Sequence, residues 1–295
     1  RKLENDWWVY GPGNTPIAVQ KAGSLYFEQT HWPFLDAVPD NLDQLADAMG
    51  HVSWAVPAPP EPNADLAAGA RKLRASTDRA IVGIFGGNLL EWGQFLCRND
   101  NFFLLLAGDP EKAHKLLDAL VELHLANLEK FLSAVGDCID VIAFGDDLGM
   151  QSGPQISPAM YREFFAPRHR VLWQRAKELA PVKVMLHCCG GVRPLLGDLA
   201  DAGLDAINPV QITCEGMEPA ALKRDFGHRL CFWGGGCDTR QILPHATPDE
   251  IRRHVRREVE ILQPGGGFVF QQVHNIMADV PPENIQAMFD ALIQE

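Results

Sequence analysis

His187 and Cys189 close the apolar run "KVMLHCCGG" (183–191), and an imidazole two residues from a thiol is a metal-ligand pair if that run is a strand. Residues i and i+2 of an extended chain point the same way, so both can meet one zinc ion at about 2.0 to 2.3 Å while Cys188 turns to the opposite face. A third ligand must then come from another segment. His274, after "GGFVFQQV", is the first candidate and Cys237, in "WGGGCD", the second. The competing reading is a packed histidine beside small buried cysteines. Gly190 and Gly191 favour metal, because they let the loop bend back over the site.

Asp146 and Asp147 follow "VIAFG", and because neighbours on a strand face opposite ways, only one of them looks into a site at that strand end. Such a carboxylate acts as general acid or base, or orients a cationic or hydroxylated substrate; otherwise it caps a helix. Asn208, Gln211, Asp238 and Gln271 also gather at ends of apolar runs. The glycine runs "FWGGGCD" and "PGGGFVF" lack the Lys and Ser or Thr of a phosphate-binding loop. Trp7, Trp8, Trp32, Trp54 and Trp92 crowd the first third, where they pack a lid or an interface.

The elements that position these groups form a βα repeat from residue 79 onward. Strands are predicted over 80–87, 138–147, 181–189, 204–211, 229–238 and 266–274. Between them run amphipathic helices. The segment 109–136 sets Leu116, Leu117, Leu120, Leu123, Leu128 and Leu132 on one broad face. Ser157–Pro158 and Thr247–Pro248 are helix starts, a capping hydroxyl followed by a proline whose missing N–H costs nothing there. Polar groups collected at strand C-termini, with no G-x-G-x-x-G after the first strand, predict a (β/α)8 TIM-type barrel rather than a dinucleotide fold. Residues 1–78 are a separate aromatic, Pro-rich segment with helical patches near 41–49 and 63–75, packing on or covering a barrel domain of 79–295. The first barrel strands are either "DWWVY" and "HVSWAV", as atypical versions, or lie upstream of Arg1.

A chain of 295 residues, 46% hydrophobic, can bury a full core. Its 26 basic and 38 acidic residues leave a net charge of −12, which repels nucleic acid and anionic bilayers. The apolar run "NFFLLLAG" is far shorter than the roughly 20 residues that span a bilayer. Seven cysteines in no paired framework suit a reducing cytoplasm.

Several ordered segments, "FGDDLGMQSGPQISPAMYREFFAPRHR", "HCCGG", "GLDAINPVQ", "FWGGGCDTRQILPHATPDEI" and "VPPENIQAMFDA", together resemble the uroporphyrinogen decarboxylase superfamily, which also contains corrinoid-linked methyltransferases. The likeness runs from about Arg79 to the C-terminus and implies a TIM-type barrel. The decarboxylase branch is metal-free and holds propionate groups with an Arg-rich segment near its N-terminus, which is not found here. The methyltransferase branch binds zinc through an H-x-C, matched by His187 and Cys189, and a cysteine near the last strand, where this chain carries His274.

The resemblance therefore implies a zinc-dependent methyltransferase that moves a methyl group between a small-molecule donor or thiol acceptor and a corrinoid (cobalamin) protein. Asp146 or Asp147 would manage a proton or position the substrate, with Asn208, Gln211, Asp238 and Gln271 binding its polar groups. No D-x-H-x-x-G corrinoid stretch is present, so the corrinoid is expected on a partner protein. The rival enzyme is a metal-independent decarboxylase of a carboxylated aromatic or tetrapyrrole. A non-catalytic barrel that binds a corrinoid or docks on a partner is the third reading, and oligomerisation is compatible with all three.

Overall fold

The computed structural model describes residues 1–52 and 64–293, which fall into two compact units. The first comprises 1–140 with 178–181, the second 141–177 with 182–295. No helix among the described residues is long and apolar enough to cross a membrane.

The first unit opens with an antiparallel sheet of β1 (Lys2–Leu3), β2 (Asp6–Tyr10), β3 (Pro16–Gln20) and β4 (Glu28–Gln29), with Trp8 opposite Val19. "DWWVY" is thus a strand, but of this antiparallel sheet, and not one of the parallel strands of a barrel. "HVSWAV" falls largely outside the described residues, as does Trp54. Helices α1 (Leu45–Gly50) and α2 (Ala64–Ser76) fill the two predicted helical patches, followed by β5 (Val82–Gly86) and helices α3 (Leu90–Cys97), α4 (Asn99–Gly108) and α5 (Pro110–Val135). The start of α5 follows from its sequence: the Asp109 carboxylate accepts the Lys112 N–H at 3.0 Å, and Pro110 occupies the first turn. Leu116, Leu117, Leu120, Leu128 and Leu132 are buried, and Leu123 sits at the stripe's margin. The boundary expected near residue 78 lies inside this unit. Asp140 bridges it, accepting from Arg74 Nη1 and from the Ile81 N–H, each at 2.8 Å.

The second unit is built on parallel strands. In chain order they are β6 (Val141–Gly145), β9 (Lys183–His187), β10 (Ala206–Asn208), β11 (Cys231–Trp233) and β12 (Phe268–Val269); a short hairpin of β7 (Gly149–Met150) and β8 (Gly153–Pro154) follows β6. Each parallel strand pairs with the next one in sequence. A doubly wound sheet reverses its order at a switch point, whereas a barrel winds in one direction, and this unit shows only the latter. The fold is α/β with parallel strands and crossover helices, as expected. Among its described residues this unit has five such strands, fewer than the eight of a closed barrel.

Its helices are α6 (Pro158–Met160), running through a π-helical turn at Tyr161–Phe165 into α7 (Ala166–Leu179), then α8 (Leu196–Ala202), α9 (Pro219–Phe226), α10 (Ile242–His245), α11 (Pro248–Leu262) and α12 (Pro282–Ile293). Both predicted caps form. Ser157 Oγ accepts the Met160 N–H at 3.2 Å, and Thr247 and Glu250 make a reciprocal capping box. Strands are shorter than their apolar runs. β10 stops at Asn208 because Pro209 has no N–H for the ladder, and β11 stops at Trp233 because Gly234 and Gly235 take positive φ.

Candidate metal centre

β6, β9 and β10 are in register at one level, with His187 beside Gly145 on one side and Asn208 on the other. Two residues past the strand end, Cys189 Sγ lies 3.6 Å from His187 Nε2. His274, from the loop after β12, completes the group: its ring centroid is 6.0 Å from that of His187, and one ligand atom from each of His187, Cys189 and His274 lies within 4.8 Å of the others. A tetrahedral ion bound at 2.0 to 2.3 Å requires ligand atoms roughly 3.3 to 3.8 Å apart. The His187–Cys189 pair already has that spacing, and the His274 atom lies within 4.8 Å of both. Two imidazoles and a thiol suit zinc, and three protein ligands leave a position open.

Neighbours orient these donors. His187 Nδ1–H donates to Asn208 Oδ1 at 2.8 Å, which leaves the Nε2 lone pair facing Cys189. Asn208 cannot flip, because its Nδ2 donates to Trp233 O and to Gln271 Oε1, both at 3.0 Å. The Cys189 N–H donates to Asp147 Oδ1 and the Gly190 N–H to Gln211 Oε1, each at 2.7 Å. Burial holds the His274 imidazole below its ordinary pKa, reinforced by His187 and opposed by Asp147, which favours the neutral, ligating form.

The two glycines of "HCCGG" have a second function besides bending the loop. The β7–β8 hairpin lies backbone-on-backbone over them, and the Gly191 N–H donates to Met150 O at 2.8 Å. Gly190 has φ +93°, and a Cβ there would stand 2.6 Å from Met150 N, with the Gly149 backbone also in its way. Only glycine permits this approach.

The two aspartates separate as alternation demands. Asp147 is the one that supports the ligand loop. Asp146 is fully buried on the other side, its Oδ2 3.2 Å from His169 Nε2, while Tyr161 Oη is 3.1 Å from His169 Nδ1 and the His169 ring stacks on Trp173 at 4.7 Å. Asp238 is also buried: Oδ1 accepts the Arg240 N–H, and Oδ2 those of Gln241 and Ile242, so it organises the loop into α10. Cys237 packs with Leu243, Ile251 and Val255, its thiol pushed up to about 12 by burial, and is not part of the donor group. The Tyr161–His169–Asp146 chain was missed in the sequence. Its one signal was a histidine on the apolar face of α7, beside Leu172 and Trp173.

The model of the uroporphyrinogen decarboxylase (URO-D) family matches residues 95–294. Among curated proteins, a uroporphyrinogen decarboxylase of Legionella pneumophila is 29% identical over 189 residues, covering 64% of this chain and 49% of the relative. A methylated-thiol–coenzyme M methyltransferase of Methanosarcina mazei is 28% identical over 179 residues, covering 61% and 44%. The chain thus spans about half the length of the curated relatives it matches. A solved methyltransferase structure from Methanosarcina mazei superposes with a TM-score of 0.64 at 21% identity, covering 90% of this chain and 71% of that one, a likeness of fold. With the family model matching well over half of its length, this chain belongs to the uroporphyrinogen decarboxylase family.

Proposed function

We propose that this chain is a zinc-dependent methyltransferase that exchanges a methyl group between a small-molecule donor or thiol acceptor and a corrinoid carried by a partner protein in the cytoplasm. The observation that carries the reading is the convergence of His187, Cys189 and His274, a donor set with no use in decarboxylation by a metal-free site. The methyltransferase named among its relatives supports the same direction. His187, Cys189 and His274 would hold the zinc, which when bound acts as a Lewis acid on the thiol or leaving atom. Asn208 and Gln271 keep His187 in the ligating tautomer. Asp147 braces the Cys189 backbone and would hold a proton or a polar substrate group. Asp146, bonded to His169, steadies the segment that carries Asp147.

Metal analysis of protein purified without chelator tests the reading. About one equivalent of zinc is expected, lost in His187→Ala and His274→Ala and retained in Cys237→Ala. Below about a tenth of an equivalent, or with zinc unchanged in His187→Ala, the proposal fails. Methylcobalamin demethylation by a thiol, followed by cobalamin absorbance, then tests the reaction.

The second reading is a metal-independent decarboxylase, favoured by the name that several of the matched relatives carry. Carbon dioxide release that persists after chelation would establish it in place of the first.

A further inference from the structure

Arg240 lies in the loop after β11, exposed, with both ends of the residue held. Its N–H donates to Asp238 Oδ1 at 3.2 Å, and its Nη1 donates to Gln151 Oε1, at the tip of the β7–β8 hairpin. Most guanidiniums on this unit that are fixed by a side chain are fixed by a carboxylate: Arg162 by Asp198, Arg193 by Asp225, Arg229 by Asp201, Arg252 by Asp249, Arg257 by Glu258. Arg240 is fixed by a neutral amide, and its guanidinium has no carboxylate partner among the described residues.

That charge is wired to the candidate metal centre. Gln151 Oε1 also faces Cys214 Sγ at 3.6 Å, Cys214 Sγ is 3.5 Å from Gln211 Oε1, and the same Gln211 oxygen accepts the Gly190 N–H next to Cys189. Burial raises the Cys214 thiol pKa and Arg240 acts in the opposite direction. The Gln151 and Glu215 backbones are tied at 2.9 Å, which holds the hairpin tip against the segment carrying Cys214. In a chain of net charge −12, a guanidinium held on the tip of the hairpin that covers the ligand loop, with no carboxylate partner among the described residues, is suited to an incoming anion.

We propose that Arg240 is a binding residue for a carboxylate, phosphate or sulfonate group, held by Gln151 at the rim of the metal centre. The proposal rests on the methyltransferase reading for its purpose. The anion comes either from the small-molecule substrate or from the phosphodiester of the corrinoid's nucleotide arm.

The experiment is a titration of the zinc-loaded chain with inorganic phosphate, following the arginine Nε–H signals by NMR, in wild type, Arg240→Gln and Arg240→Lys. Zinc content is measured on each sample. Saturable binding that shifts one arginine signal, weakened about tenfold or more in Arg240→Gln and less in Arg240→Lys, supports the site. Phosphate binding equal in wild type and Arg240→Gln, or no saturation in wild type, overturns it. Zinc retained at the wild-type level while phosphate binding fails sinks this proposal alone, and zinc absent from wild type sinks the methyltransferase reading alone, since the phosphate titration is then run on the metal-free chain with the same criteria. Cobalamin and cobinamide, which lacks the phosphodiester, are titrated alongside. Tighter binding of cobalamin that disappears in Arg240→Gln assigns the anion to the corrinoid, and equal binding of the two assigns it to the small molecule.

Discussion

Replacing Asn208 by alanine isolates what the neighbours of a metal ligand contribute. The residue is buried and makes three contacts: it accepts from His187 Nδ1–H at 2.8 Å and donates to Trp233 O and Gln271 Oε1 at 3.0 Å. Without Oδ1 the imidazole loses the acceptor that selects its tautomer and fixes its plane, and such partners are worth about 10 to 100-fold in metal affinity. That corresponds to roughly 1.4 to 2.7 kcal/mol. A separate cost arises in the metal-free protein, where two acceptors lose their donor, each worth about 1 to 3 kcal/mol if no water replaces it. Asn208→Asp separates the two effects, because it keeps the acceptor toward His187 and loses both donations. Zinc competition against a chromophoric chelator, with urea unfolding of the metal-free protein in parallel, should show weakened zinc only in Asn208→Ala and reduced stability in both. Zinc affinity within about twofold of wild type in Asn208→Ala, or an equal loss in the two variants, would refute the tautomer argument.

Gly190→Ala should cost about 1 to 3 kcal/mol from the positive φ alone, and more from the collision with the hairpin backbone, lowering the urea midpoint and the retained zinc together; a variant with both unchanged would show that the hairpin yields freely. A pH dependence follows from His254, whose Nε2 accepts the Asp238 N–H at 3.2 Å. Burial lowers its pKa, with Arg257 acting in the same direction and Glu258 and Asp238 against. The unfolded chain therefore takes up the proton first, so stability is full above the ordinary imidazole value of about 6.5 and declines as pH falls toward the lowered folded value. Urea midpoints of the metal-free protein between pH 7.5 and 5.5 should fall less steeply in His254→Gln than in wild type, and parallel curves would contradict the assignment.

Local rules made much of this molecule readable in advance. The alternation of an extended strand put His187 and Cys189 together and Asp146 and Asp147 apart, the capping hydroxyls at Ser157 and Thr247 marked helix starts, and the leucine spacing of α5 marked its buried face. These depend on sterics and hydrogen bonds acting over a few residues, which any stretch of chain carries with it. What the local rules did not reach was which distant side chains meet. Whether His274 or Cys237 stands beside His187 depends on where the chain leaves β11 and β12, and Cys237 instead enters the apolar cluster under α11. Likewise, Asp238 is taken up by the loop amides that follow it, and the buried Tyr161–His169–Asp146 chain exists only because α7 packs across the end of β6. Such choices are settled by strand register and by the cost of burying an unpaired polar group, quantities that belong to the assembled fold and to no single segment.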